Sequence, residues 1–349
     1  MRPAFYKPQL DVVRLLAFFA VFNHHVLPRT YAKAPWLGEV ANAGAFGVSL
    51  FFVLSAYLIT LILLREREAT GTVQLRAFYA RRALRIWPLY LLGLGIGALR
   101  AALHGVLSEQ SGWFIAALFL AGNLVPSGGI LMSHLWSISV EEQFYLLLPS
   151  TARWGRQGLA VAACAFLLAA NLALVHFAHV HAEMDTTVWF NSLPQFQMFA
   201  FGIMLALLNG QVQRLRGWSG AACVALGLAL AYVVQAVCHL KTEHLAATSA
   251  SSLCAGYACL GLACCLLIAG VQHMPVWPPL AYLGKISFGL YVFHIPAIAL
   301  VADHLHFAAL DAVGSLLLTC GLAAASYQLL ERPFLQIKHK FEVIHTRPA

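Results

Sequence analysis

A chain of 349 residues is long enough for two soluble domains, but its composition excludes them. It is 60% hydrophobic and only 10% charged, with a mean hydropathy of +0.75, against roughly a quarter charged in a soluble chain. A net charge of +8 would elsewhere raise nucleic-acid binding, but here the basic residues sit in short loops between apolar runs, where they orient a protein in a bilayer.

A helix crossing a membrane needs about 20 mostly apolar residues. Ten segments meet this in chain order: 10–28, 44–64, 85–104, 134–151, 158–178, 193–209, 218–239, 249–270, 283–302 and 311–330. The stretch 113–124 is apolar but short and runs into Pro126, Gly128 and Gly129, so it is expected to be re-entrant or interfacial. Ten spans put both termini on one side, and with them seventeen of the 22 Lys and Arg; four fall opposite and Arg14 lies within the first span. The richer side is expected to be cytoplasmic. A full crossing at 113–124 would move Arg153, Arg156, Arg214 and Arg216 outside. The expected fold is therefore all-α: a polytopic transmembrane helix bundle, one domain over 1–335, with 336–349 a short basic cytoplasmic tail. No small-residue cleavage site follows Val26, so the first helix is expected to be retained. The eight cysteines lack paired metal-ligand spacing and read as small apolar side chains; no metal site is expected.

A charge near the bilayer centre costs at least about 2.5–3.5 kcal/mol and calls for a partner, a cavity or a task. The first span reads LDVVRLLAFFAVFNHH, with Arg14 and His25 eleven residues apart. That is three helical turns plus roughly 20°, so they share a face about 16 Å apart along the axis, while His24 falls about 80° off it. Asp11, one turn before Arg14, can pair with it. At the third span, RRALRIWPLY groups Arg81, Arg82 and Arg85 on one turn and its neighbouring face, with Trp87 and Tyr90 at headgroup depth. Guanidinium forks suit phosphates, and the same residues also suit a positive flank with an aromatic belt. The fourth span, LWSISVEEQFYLLLP, carries Glu141 and Glu142 inside an apolar run. Ser137, Glu141 and Tyr145 share a face by their i, i+4 spacing, with His134 two turns before Glu141. In the ninth, ISFGLYVFHIP sets Ser287, Tyr291 and His294 on one stripe, which suits a structural hydrogen-bond ladder as well as a functional face.

Together these motifs resemble the acyltransferase 3 family of bacterial and eukaryotic membrane acyltransferases. That family's signature of Arg, ten residues and His falls on Arg14 and His25. Its FFVLSGFLI-like run appears as FFVLSAYLI at 51–59, and its RRxxRIxPxY run as Arg81, Arg82, Arg85, Pro88 and Tyr90. WSISVEEQFY at 136–145, SFGLYVFHIP at 287–296 and the closing Glu331, Arg332 and Pro333 complete the set in order, over nearly the whole chain. The departures are Ala56 for a usual Gly, Phe288 for Tyr and Gly289 for Ser. The helix at 193–206 lacks the Arg that the family carries there, with Gln195 or Gln197 nearby, which leaves that Arg's role without a bearer. A hydrolase-like C-terminal domain, carried by some members, is not expected here.

The resemblance implies transfer of an acyl group, acetyl above all, from acyl-CoA to a hydroxyl of a carbohydrate, cell-envelope glycan or other small acceptor. It implies a multi-pass protein of the bacterial inner membrane, surrounded by membrane lipid, with no tightly bound cofactor and no nucleic-acid partner. His25 is expected as the base, deep in a water-accessible tunnel lined by the first helix. Arg14 is expected to draw in the donor or orient its pantetheine arm, and Glu141 to orient His25 or hold the acceptor. Arg81, Arg82, Arg85 and Tyr90 are expected at the donor's nucleotide end, and Glu142, Trp136, Ser139, Tyr291 and His294 at the acceptor. The rival is a secondary transporter, because intramembrane Arg, His and Glu also build proton relays. The cytosolic arginine cluster and the ordered motifs favour the enzyme.

Overall fold

The computed structural model describes residues 6–30, 35–125, 127–180, 185–240, 245, 248–302 and 308–343. Among them the regular structure is entirely helical, as hydrocarbon requires, because a helix satisfies its backbone N–H and C=O groups within one segment. The long elements are α1 (Pro8–Thr30), α2 (Pro35–Gly44), α3 (Gly47–Thr70), α4 (Leu75–Leu103), α5 (Leu107–Leu118), α6 (Trp136–Ala152) and α7 (Gly155–Val180). After them come α8 (Asp185–Phe190), α9 (Ser192–Leu207), α10 (Asn209–Val212), α11 (Trp218–Ala236) and α12 (Ala250–Val271). The chain closes with α13 (Pro278–Lys285), α14 (Ser287–Ala302), α15 (Ala308–Ser326), a π-helical turn at Tyr327–Glu331 and α16 (Arg332–Lys338).

Seven stretches among the described residues are long and apolar enough to cross a membrane, and α13 with α14, bent by 71°, makes an eighth. The protein is a multi-pass integral membrane protein. Each of the ten apolar segments expected from the sequence falls on a helix, although α6 and α9 are shorter, at 17 and 16 residues. α4 starts at Leu75, ahead of the expected 85, because the arginine-rich stretch is itself helical. The segment expected to be re-entrant or interfacial is α5 with a 3-10 turn at Gly122–Leu124. Its 12 residues rise only about 18 Å, well short of a hydrocarbon core of about 30 Å. Both termini, expected to be cytoplasmic, and the end of the 336–349 tail lie outside the described residues.

Lipid tails are as apolar as leucine, so helices in a membrane associate by close packing, and small residues allow it. At the crossing of α3 and α9, a Cβ on Gly202 would lie 2.3 Å from the Val53 carbonyl oxygen and 2.6 Å from the Ala56 Cβ. Beside this crossing the rings of Phe52, Phe199 and Phe144 stack in series, with centroids 4.7 and 4.1 Å apart. Gly284 brings α13 equally close to α1, against the Asp11 carbonyl. Gly71 ends α3 in a left-handed conformation (φ 78°), returning its N–H to the Arg67 carbonyl, and turns the chain into α4.

Polar contacts gather one end of the bundle. Lys7 donates to Gln213 at 2.5 Å and to Gln272 at 3.1 Å, and the Tyr57 hydroxyl donates to Asn209 at 2.8 Å. Arg67 donates to the Arg153 carbonyl at 3.1 Å, and Arg156 to that of Leu207. Lys7, Arg67, Arg153 and Arg156, all assigned by the sequence to one side, thus gather at one end, formed by the start of α1 and the ends of α3, α6, α9 and α12. Gly202→Ala is expected to cost about 1–3 kcal/mol by forcing α3 and α9 apart; a lowered melting temperature in detergent would register it.

Candidate active site

At this basic end, α1, α3, α4, α6, α14 and α16 enclose a chamber of about 470 Å³. Arg14 reaches it from α1 in a pair with Asp11, whose carboxylate also accepts from the Tyr6 hydroxyl at 2.8 Å. From α4 come Arg82 and Arg85, and the Arg82 guanidinium lies 5.2 Å from the Tyr145 ring centroid. Lys285, at the bend between α13 and α14, lies 5.1 Å from the Tyr327 ring centroid. Arg332 and Lys338 enter from α16, and Glu141, which accepts from the Tyr145 hydroxyl, from α6. The cations outnumber the carboxylates, so the chamber suits a ligand with several negative charges.

Of the residues expected at the donor's nucleotide, Arg82 and Arg85 line the chamber, whereas Arg81 and Tyr90 do not. Consecutive helical residues point about 100° apart. Arg81 therefore turns into the protein, donating to Glu66 at 2.7 Å and to the Phe341 carbonyl at 2.8 Å. Tyr90 donates to the Ala117 carbonyl at 2.7 Å and ties α4 to α5. Among the residues expected at the acceptor, Trp136 packs on Phe52, Trp189 and Phe190 and lines neither this chamber nor the pocket described below. Glu142 accepts from the Trp87 indole at 3.3 Å, and Ser139 is fully buried. Tyr291 does reach the chamber, at its inner end, where its hydroxyl meets the Ser137 hydroxyl and the His134 carbonyl, each at 2.7 Å.

His25 lies beyond this closure, in a second pocket of about 270 Å³ with Arg100, Ile130, Leu131, Ile295 and Ile298. On three helices the chamber residues precede those of the pocket: Arg14 then His25 on α1, Ile86 then Arg100 on α4, Tyr291 then Ile295 on α14. The hollows are therefore stacked along the bundle axis, and on α14 about 6 Å of helical rise separates them. Arg14 and His25, expected along one tunnel, line two different hollows. The bonded Tyr291–Ser137 pair and the His294 ring lie between them.

Four imidazoles cluster at that divide. Ring centroids are 4.9 Å apart for His24 and His25, 5.1 Å for His25 and His294, and 4.8 Å for His294 and His134. A carbonyl can only accept, so the backbone selects the neutral tautomers. His25 donates from Nδ1 to the Val21 carbonyl at 2.9 Å, which leaves Nε2 as the acceptor. His294 donates from Nδ1 to the Tyr291 carbonyl at 2.6 Å, and its Nε2 faces His25 Nδ1 at 3.4 Å. His25 is thus oriented by an imidazole from α14, and Glu141 lies in the other hollow. Among the described residues, no three His, Cys, Asp or Glu side chains are grouped to hold a metal. By sequence pattern, Lys285, Lys338 and Arg100 are only orienting charges, and His134 sits on the Glu141 face without a role.

The chain matches a family described as an acyltransferase domain over residues 7–328. Among curated proteins it is similar to O-acetyltransferase OatA of Staphylococcus aureus strain NCTC 8325 / PS 47, at 25% identity over 362 residues, 94% of this chain and 57% of that protein. It is also similar to "Putative O-acetyltransferase SAS0844" of Staphylococcus aureus strain MSSA476, at 23% identity over 381 residues, 99% of this chain and 59% of that protein. The chain therefore spans less than three-fifths of the length of these relatives. No solved structure matches it.

Removing one partner of a buried ion pair strands the other. Glu66→Ala is expected to cost about 3–5 kcal/mol, because the Arg81 and Glu66 side chains are only 9% and 1% exposed. Thermal unfolding in detergent measures it, with Glu68→Ala, exposed on the same helix, as the control.

Proposed function

The chain belongs to this acyltransferase family, and on that premise we propose that it is a membrane O-acyltransferase moving an acyl group, acetyl above all, from acyl-CoA to a hydroxyl. The observation that carries this reading is the stacking of a polycationic chamber against a pocket that holds an oriented imidazole. The excess of Lys and Arg at the chamber end favours a cytosolic orientation for it, where coenzyme A is found. Arg82 and Arg85 then take the phosphates, and Arg14 steers the pantetheine arm inward towards the Tyr291–Ser137 closure. The acceptor hydroxyl occupies the second pocket, with Arg100 and apolar walls around it.

The reaction follows from the His25 tautomer. Nε2 takes the proton of the acceptor hydroxyl as its oxygen attacks the thioester carbonyl. The C–S bond breaks, and the coenzyme A sulfur leaves and recovers the proton. The imidazolium formed in between is held at Nδ1 by the Val21 carbonyl and the His294 Nε2. Tyr291 and Ser137, bonded at 2.7 Å, lie between the thioester end of the chamber and the acceptor pocket.

Two measurements test this. His25→Ala is expected to lower acetyl-CoA-dependent thiol release, with a cell-envelope extract as acceptor, by about 10²–10⁴-fold while the protein stays folded in the membrane. Near-normal turnover would exclude His25 as the base. Arg82→Gln with Arg85→Gln is expected to weaken acetyl-CoA binding by about tenfold or more in a calorimetric titration, and unchanged affinity would remove the chamber from donor binding.

A further inference from the structure

The family match ends at residue 328, but the chamber wall does not. Arg332, Leu335, Gln336, Lys338, His339 and Glu342, all beyond that limit, line it. A basic stretch following a last span would ordinarily hang free as an orienting flank. This one is tied back. The Arg81 guanidinium, buried and fixed by Glu66, donates to the Phe341 carbonyl at 2.8 Å.

The same segment braces itself. Glu342 pairs with Lys338 at 3.2 Å and with His339 at 3.1 Å, and the Lys338 and Glu342 side chains are 15% and 3% exposed. Burial raises the pKa of the Glu342 carboxyl, but Lys338 and His339 outweigh that effect and hold it below the usual carboxylate range. The pairing therefore persists at neutral pH. Lys338 is kept inside the wall, where a flexible lysine would otherwise extend into water. Arg82, Arg85 and Lys285 belong to the helix bundle, and Arg332, Lys338 and His339 to the segment that crosses it. Cations from separate parts of the chain thus meet around one space, the arrangement that a ligand with several phosphates recruits.

We propose that the segment Arg332–Glu342 is a strap that completes the polyanion subsite, with Arg332 and Lys338 contacting the donor's phosphates and Arg81 positioning the strap through the Phe341 carbonyl. This rests on the reading of the chamber as the acyl-CoA site. It gives Arg81 an indirect part in donor binding, since its own side chain is used up within the protein.

The test is calorimetric titration of the full chain in detergent with three probes: acetyl-CoA, adenosine 3′,5′-bisphosphate, and S-acetylpantetheine, which lacks phosphate. Lys338→Gln and Arg332→Gln are each expected to weaken acetyl-CoA and the bisphosphate by about tenfold and to leave S-acetylpantetheine unchanged. Lys338→Arg should restore binding of the phosphorylated probes, and a melting curve for each variant checks the fold. Equal weakening of all three probes would make the strap merely structural, and unchanged binding of the phosphorylated probes would place it outside the subsite; either overturns the proposal while leaving the chamber's role intact. If the wild-type protein binds neither acetyl-CoA nor the bisphosphate, the parent reading falls and the strap's role with it.

Discussion

In hydrocarbon a polar group has no water to fall back on, so each one must be bonded within the protein or face a hollow. The placement of charge in this bundle follows from that constraint. Arg14 and Asp11 pair beside the chamber, Glu66 and Arg81 pair as buried side chains, and Glu141 accepts from Tyr145 at the chamber wall. The histidines obey the same rule through the backbone, since His24, His25, His134 and His294 each place a ring nitrogen against a carbonyl. Those backbone contacts choose the tautomers and place the lone pair of the His25 ring at Nε2.

The second organising feature is close approach. Gly202 and Gly284 let backbones touch across α3–α9 and α13–α1, and the second contact holds the start of α1, with Asp11 and Arg14, beside the chamber. The 71° bend between α13 and α14 sets Lys285 at the chamber while α14 carries Tyr291 and His294 into the interior. A straight helix would have placed all three along one line. The bend assigns the cation to the chamber and the ring pair to the divide between the hollows.

Several features are legible in the amino-acid sequence. Apolar runs of span length announce the helices, and the asymmetry of Lys and Arg announces a basic end. The spacing of Arg14 and His25 announces a polar face on the first helix. The cluster of Arg81, Arg82 and Arg85 is legible, but which of them face the chamber is not. A one-residue step on a helix turns a side chain by about 100°, and only the position of α3 decides which neighbour that turn meets. The surroundings of Tyr90 and Trp136 are hidden for a similar reason: their motif membership says nothing of whether Ala117 or Trp189 stands opposite.

What the sequence by itself determined is the solvent, the helical class, the basic end and the identity of the costly residues, because hydropathy and helical period are local properties that a window of about 20 residues contains. Only the tertiary structure decided that Arg14 and His25 line different hollows with His294 and Tyr291 between them, that His25 is oriented by α14 with Glu141 in the other hollow, and that residues past 328 form part of the chamber wall. These are contacts between segments hundreds of residues apart, Arg81 to Phe341 and His25 to His294. They arise from how helices cross, which no local pattern encodes.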